Sequence, residues 1–376
     1  MTMSPYAQSL VNRIAQAQTE LEAAKAQVLL GCYWARVGDI SKAEEIRADS
    51  RGKYPSGRYG ELTVLHMCLD GLIYYYSEQS PAAAERLRGA HKLATTYRFR
   101  DEQSFSGAWL AHIEFNRNRW EAMAEALDSC HASMESTDNA VGGRFALVIA
   151  DALSHCGVID RSREWYEHAR KSLTSIGDHA AIEAYLYNGA ALRLHAARIA
   201  AIKRPLDASS LRTLGGEIDS AANYQRLTAQ KSLDYLLDLA KASHRMLSSD
   251  LDGAGVLLKG LLQPNVVPKG SSSMPLILAD IAVCDSACSG GGTVASSSIA
   301  AAKAAISADM SPDDLALAAH SIGLASGALG DFEQVAVWRD RCDEALQQFE
   351  ESRTRLRDVI SRWAVAPASV FVHSRQ

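Results

Sequence analysis

The stretch "LLGCYWARVGDISKAEEI", residues 29–46, places a Gly38–Asp39 turn between two apolar-periodic segments, with small residues at Gly31 and Ala43 on either side. It reads as a helical hairpin. One hairpin cannot bury its own apolar face, so the fold turns on whether the pattern recurs. Stepping 40 positions from Gly31 reaches Gly71 and Ala111, and stepping from Ala43 reaches Ala83 and Met123. The same step from Arg47 meets Leu87 and Leu127. A fourth unit follows after 39, with Ala150, a turn at Gly157, then Tyr166 and Ala169; a fifth first helix follows around Gly189. Small residues facing across a hairpin let two helices approach closely, and the large ones between them fill the gap to the next hairpin. Self-similarity at such a period marks a helical solenoid.

These residues resemble the tetratricopeptide repeat family. The first unit carries Leu30-Gly31, Trp34, Gly38-Asp39, Ala43 and Pro55; the second carries Gly71, Tyr74, Ala83, Leu87 and Ala90. The third has Leu110-Ala111, Trp120, Leu127 and Cys130, and the pattern returns late in the chain at Ile322-Gly323, Gly330-Asp331-Phe332 and Val335. Arg47 stands where the family usually has an apolar residue, and no proline closes units two to four. The resemblance implies an all-α, right-handed superhelix of hairpins whose concave groove holds a peptide or a partner helix.

Bulk properties fit a folded chain: of 376 residues, 47% are hydrophobic and 22% charged. A net charge of −5 with no long basic run argues against direct nucleic-acid binding. Seven scattered cysteines point to reduced thiols and a cytoplasmic setting. The amino terminus through Lys25 reads as one amphipathic helix rather than a secretion signal, and no apolar run is long enough to span a bilayer. Three segments are expected: an array over 1–204, a linker and continuing hairpin over 205–270, and hairpins with a long terminal helix over 271–376. Pro205 and Gly215-Gly216 read as a long connection, followed by a helix, a turn near Asp252-Gly253 and a second helix. The segment 264–275 and the run "CSGGGTVASSS" read as exposed loops.

Several constellations invite chemistry. Cys284 and Cys288, a helical turn apart near Asp280 and Asp285, have the spacing of half a zinc or redox site, but no second ligand pair is visible. Cys130-His131 and His155-Cys156 are adjacent on helices, so their side chains diverge by about 100° and do not pair. The glycine run after Cys288 lacks the lysine and preceding strand of a phosphate loop. No cofactor or metal is therefore expected, and the chain is read as a binding protein and not an enzyme.

The binding candidates come from the first helices. Tyr75 and Tyr76, then His112, Phe115 and Asn116, then Arg144 and Asp151, then Asn188 and Arg193 fall on the concave side in this register. Amides pair with the backbone of an extended peptide, and an arginine grips a carboxylate with a two-pronged fork. The tail from Trp338 shows a heptad stripe through Cys342, Ala345, Phe349, Ser352, Leu356, Val359 and Trp363. Such a stripe either caps the array or joins two copies. Its continuation past the last repeat predicts self-association through Phe349, Leu356 and Trp363. The resulting reading is an adaptor or regulatory sensor for a peptide or protein segment, with an enzyme on a helical scaffold (through Asp151, His155 or the Cys284 pair) or the sensing part of a transcriptional or signalling regulator as alternatives.

Overall fold

The computed structural model describes residues 3–55, 57–135, 137–229, 231–232, 234–288 and 292–371. Among these the regular elements are helical, with no strand. The chain divides into two compact units that do not follow the three expected segments. The first comprises Met1–Asn188, Asn223–Leu233 and Leu356–Gln376; the second comprises Gly189–Ala222 and Asp234–Arg355.

The first unit begins with α1 (Pro5–Gln16) and continues as four hairpins: α2 (Glu20–Val37) with α3 (Ile40–Lys53), α4 (Gly60–Glu78) with α5 (Ala82–Tyr97), α6 (Arg100–Asn116) with α7 (Trp120–Ser133), and α8 (Asn139–His155) with α9 (Ile159–Ile176). A fifth first helix, α10 (His179–Lys203), starts in this unit and ends in the second. First helices thus begin at 20, 60, 100, 139 and 179, steps of 40, 40, 39 and 40. The repeat seen in the sequence is a repeat in space, with α2 packed on α4, α4 on α6 and α6 on α8.

The amino-terminal segment is two helices, not one. Thr19 accepts a hydrogen bond from the Glu22 amide, and the Glu22 carboxylate accepts one from the Gln18 amide, so α2 has its own cap and α1 ends at Gln16. The Gly38–Asp39 turn works as its residues suggest. Gly38 adopts φ 86° and closes α2 through the Ala35 and Trp34 carbonyls, while Asp39 caps α3 by accepting from the Lys42 amide. Gly38 also bears the close approach of Lys231 and Ser232, whose backbone a Cβ would strike at 2.6–2.7 Å.

The core of this unit is continuous: Leu69, Leu72, Leu87, Met123, Leu127, Phe145, Leu147, Ile149 and Trp165 are fully or almost fully covered. Joining it are Leu356, Ile360, Trp363 and Val370, from the end of α17 (Phe332–Ile360) and the segment through α18 (Pro367–Phe371). The Trp165 indole donates to the carbonyls of Trp363 and Val365, both at 3.0 Å, and Phe371 stacks on His168 with ring centroids 4.5 Å apart.

The second unit holds the rest of α10, most of α11 (Ala208–Thr228), α12 (Asp234–Leu247), α13 (Leu251–Leu261), α14 (Met274–Cys288), α15 (Thr293–Ala305), α16 (Pro312–Ala328) and α17 up to Arg355. The expected connection through Pro205 and Gly215-Gly216 is loop only at 205–207 and helical from Ala208. A glycine in a helix costs about 1 kcal/mol against alanine, but Gly215 lets α11 close on His244 of α12, whose imidazole bonds the Leu211 carbonyl at 2.8 Å. The α12–α13 turn falls at Ser248–Asp250, and Asp252-Gly253 lies in the first turn of α13. The interior is built from small residues, with Ala279, Ala282, Ala316 and Ala319 against Ile322, Trp338 and Cys342. Through it runs a buried ion pair: Arg198 meets both Asp280 oxygens at 2.8 and 2.9 Å, and Ser321 donates to the same carboxylate. Of the expected loops, 262–273 is turn and loop but Met274-Pro275 open α14; in the other, 289–291 lie outside the described residues and residues 293–298 are already the start of α15.

Candidate functional site

The first helices bring most of the anticipated residues into one layer of the first unit. On α6, His112 is buried, with Trp109 and Tyr75 edge-on at 5.8 and 5.7 Å. Asn116, one turn along and exposed, donates to the Tyr75 hydroxyl at 2.9 Å and approaches His112 Nε2 at 3.3 Å. If Asn116 donates there, the His112 proton sits on Nδ1, a buried atom with no hydrogen-bond partner. Burial, and the charge of Arg144 nearby, push the His112 pKa down to about 3, so the ring is neutral.

Arg144 of α8 lies 4.2 Å over the Trp109 ring and is 4% exposed. Neither of its terminal nitrogens has a hydrogen-bond partner, and burial lowers its pKa. On the other side of the layer, Arg36 of α2 sits 5.5 Å from the same ring and grips both oxygens of Asp178 at 2.7 and 2.8 Å. Asp178 also accepts from the Ala181 amide, which fixes it at the start of α10. Tyr76 faces both arginines and Trp109, with a phenol pKa raised by burial. Between these groups is a cleft of about 20 Å³, walled by Tyr6, Phe105, Ala108, Ala140, Val141 and Ala181 beside Arg36, Trp109, Arg144 and Asp178.

Two turns along α8, Asp151 is fully covered. Its carboxyl accepts from Tyr166 at 2.6 Å and from Asn188 at 2.7 Å. Burial outweighs those donors and raises its pKa to about 7. Asn188 is therefore turned inward onto Asp151, and Asp151 offers no accessible oxygen to a ligand. Phe115, expected on the binding face, is buried between Trp120 and His155 at 5.9 and 6.0 Å and packs the core. Arg193 belongs to the second unit, exposed, with its Nε donating to Glu217 at 2.7 Å.

The tail differs most from expectation. Phe349, Leu356 and Trp363 are 6%, 0% and 2% exposed within the single chain. Leu356 and Trp363 lie in the core of the first unit, and Phe349 lies against His195 in the second. The three residues expected to join two copies are thus covered by their own chain, while Ser352 and Val359 of the same stripe are half-buried.

Trp109, Arg36, Asp178 and Tyr6 were missed in the sequence reading. A charge inside the otherwise apolar "LLGCYWARV" was the available signal for Arg36; its partner, 142 positions away, has none. Among the described residues no three His, Cys, Asp or Glu side chains gather as a metal would require. Cys284 is buried, and the Cys288 side chain lies outside the described residues. No family model matches the chain, and no curated protein proved similar to it.

Proposed function

We propose that the first unit is a tetratricopeptide-like recognition array that holds a peptide or partner segment against its first helices, and that the chain acts as a cytoplasmic adaptor or regulatory sensor. The observation that carries this is the polar and aromatic layer on successive first helices, with side chains bonded from repeat to repeat: Tyr75 to Asn116, and Asp151 to Asn188. Such a layer fixes the orientation of the side chains at its edge before any ligand arrives, which lowers the ordering cost of binding. Asn116 is the exposed member; its amide nitrogen is engaged by Tyr75 and His112, which leaves its carbonyl oxygen to accept from a peptide N–H. The cytoplasmic setting is supported by Cys32, Cys68, Cys130 and Cys342, buried thiols outside any disulfide. An enzyme reading has less support, because Asp151 is sealed behind Tyr166 and Asn188 and His155 packs on Phe115 and Trp120.

Selection of a random-sequence displayed peptide library on the full chain tests this. The wild type should enrich a consensus, and Asn116→Ala combined with Tyr75→Phe should lose it while keeping the far-ultraviolet circular dichroism of a helical protein. Equal enrichment on both proteins would remove the first-helix face as the recognition surface.

A further inference from the structure

Arg144 is the group in the first unit whose chemistry is least complete. Its guanidinium carbon lies 4.2 Å from the Trp109 ring centroid, which engages the cation's charge but leaves both terminal nitrogens, buried, without a hydrogen-bond partner. Arg36, the other cation on Trp109, is matched by Asp178. The remaining carboxyls of the layer are engaged elsewhere, Asp151 by Tyr166 and Asn188, while Glu183 faces Tyr76. A buried charge without a partner is expensive, and proteins seldom keep one without a use for it.

We infer that the cleft between α6 and α8 is a carboxylate-binding site in which the terminal nitrogens of Arg144 grip one ligand carboxylate in a fork, with the ligand's apolar stem along Trp109, Phe105 and Val141. The inference rests on the recognition reading above and names its ligand chemistry. Three features select the class. A guanidinium fork matches the planar spacing of two carboxylate oxygens. The cleft has about 20 Å³ of free room beside Arg144, and Phe105, Trp109 and Val141 on its wall offer apolar contact to a ligand stem. The walls are aromatic and aliphatic except at the two arginines and Asp178, and Asp178 repels a second negative charge. The carboxylate could belong to a free short-chain acid or to the end of a peptide, and both present the same group to Arg144.

The test uses the full chain in low-salt Tris buffer, with acetate, propanoate and phosphate as probes, and with one peptide from the library consensus made with either a free or an amidated carboxyl terminus. Wild type should show a saturable rise in melting temperature with the carboxylates and little with phosphate. Arg144→Met should lose that rise and, because it removes an uncompensated buried charge, should melt no lower than wild type without ligand. Ala140→Phe, which crowds the cleft from its half-buried wall and leaves Arg144 in place, should lose the rise as well. Tighter binding of the free-carboxyl peptide than of its amide, abolished in Arg144→Met, supports the site with a peptide as source. Binding of the small acids alone supports the site and counts against the peptide reading. Equal binding of both peptides, unaffected by Arg144→Met, keeps the peptide reading and overturns the carboxylate site. Absence of any carboxylate effect overturns the site too, and a melting temperature of Arg144→Met several degrees below wild type then assigns Arg144 to structure.

Discussion

Three buried residues of the first unit make its stability depend on pH in opposing directions. Asp151 holds its proton in the fold up to about pH 7 because burial disfavours its charge, whereas in the unfolded chain it ionises near the ordinary 3.8. The folded state binds more protons in that interval, so this contribution to stability falls as pH rises from about 4 to about 7. His112, pushed down to about 3, and His66, pushed down to about 4 by burial with Arg51 adding to the effect, bind fewer protons folded than unfolded. Their contributions are present above 6.5 and are lost as pH falls towards those values. Each group changes stability by about 1.4 kcal/mol per pH unit, so Asp151 offsets one of the two histidines between pH 4 and 6.5. Asp151→Asn should therefore steepen the loss of stability on acidification by about 1.4 kcal/mol per unit, and His112→Gln should flatten it by a similar amount. Urea unfolding at several pH values from 4.5 to 6.5 reads both slopes. An Asp151→Asn slope equal to that of wild type would mean that Asp151 is already ionised in the fold. None of this was legible in the sequence, because the burial that causes the shifts comes from neighbours one repeat away. Asn188 shows the same limit: its polarity suggested a ligand contact, and the fold gave it Asp151 instead.

Small residues decide how closely helices approach, and that much could be read directly. A Cβ on Gly71 would lie 2.8 Å from Leu87 Cγ and 3.2 Å from the Ala83 carbonyl, so α4 and α5 are in contact at the position marked by the 40-residue step. The obstacle at Leu87 is a branch point, which cannot swing aside as a flexible side-chain end would. Gly71→Ala should thus destabilise by about 1–3 kcal/mol despite the better helix propensity of alanine. Gly216, inside α11, has nothing within 4 Å of its Cβ position, so Gly216→Ala should stabilise by about 1 kcal/mol. Thermal melting of the two variants should therefore shift in opposite directions, and a shared direction would mean that packing does not distinguish the two glycines. Gly215-Gly216 resembled a linker because local propensity was the signal available, while His244, which α11 packs against, lies nearly 30 positions on.

At the scale of the whole molecule, the chain returns to its own first unit after a long excursion. The hairpins from α2 to α9 are local and legible as a period, whereas the last contacts of the unit join residues about 200 positions apart, and no repeat announces them. The heptad stripe was readable, but its partner was not: a stripe reports that a helix must be covered and carries no address for the cover. Here the cover is α8 and α9, where Trp363 meets Phe145 with centroids 5.1 Å apart, Arg357 donates to the Cys156 carbonyl at 2.8 Å, and Leu356 is wholly enclosed. This placement separates two outcomes for one substitution. A seam between copies would let Leu356→Asp dissociate an assembly and leave each chain folded. A core position makes the same change bury an unpaired carboxylate, which the fold avoids by releasing the tail. Leu356→Asp should therefore lower the melting temperature sharply and expose Trp165 to solvent. Trp363→Ala should cost about 3–5 kcal/mol in urea unfolding, as large-to-small changes of buried aromatics do. Light scattering run beside both measurements should show a molar mass independent of either substitution. A folded Leu356→Asp chain at half the wild-type mass would restore the stripe as an interface and displace it from the core.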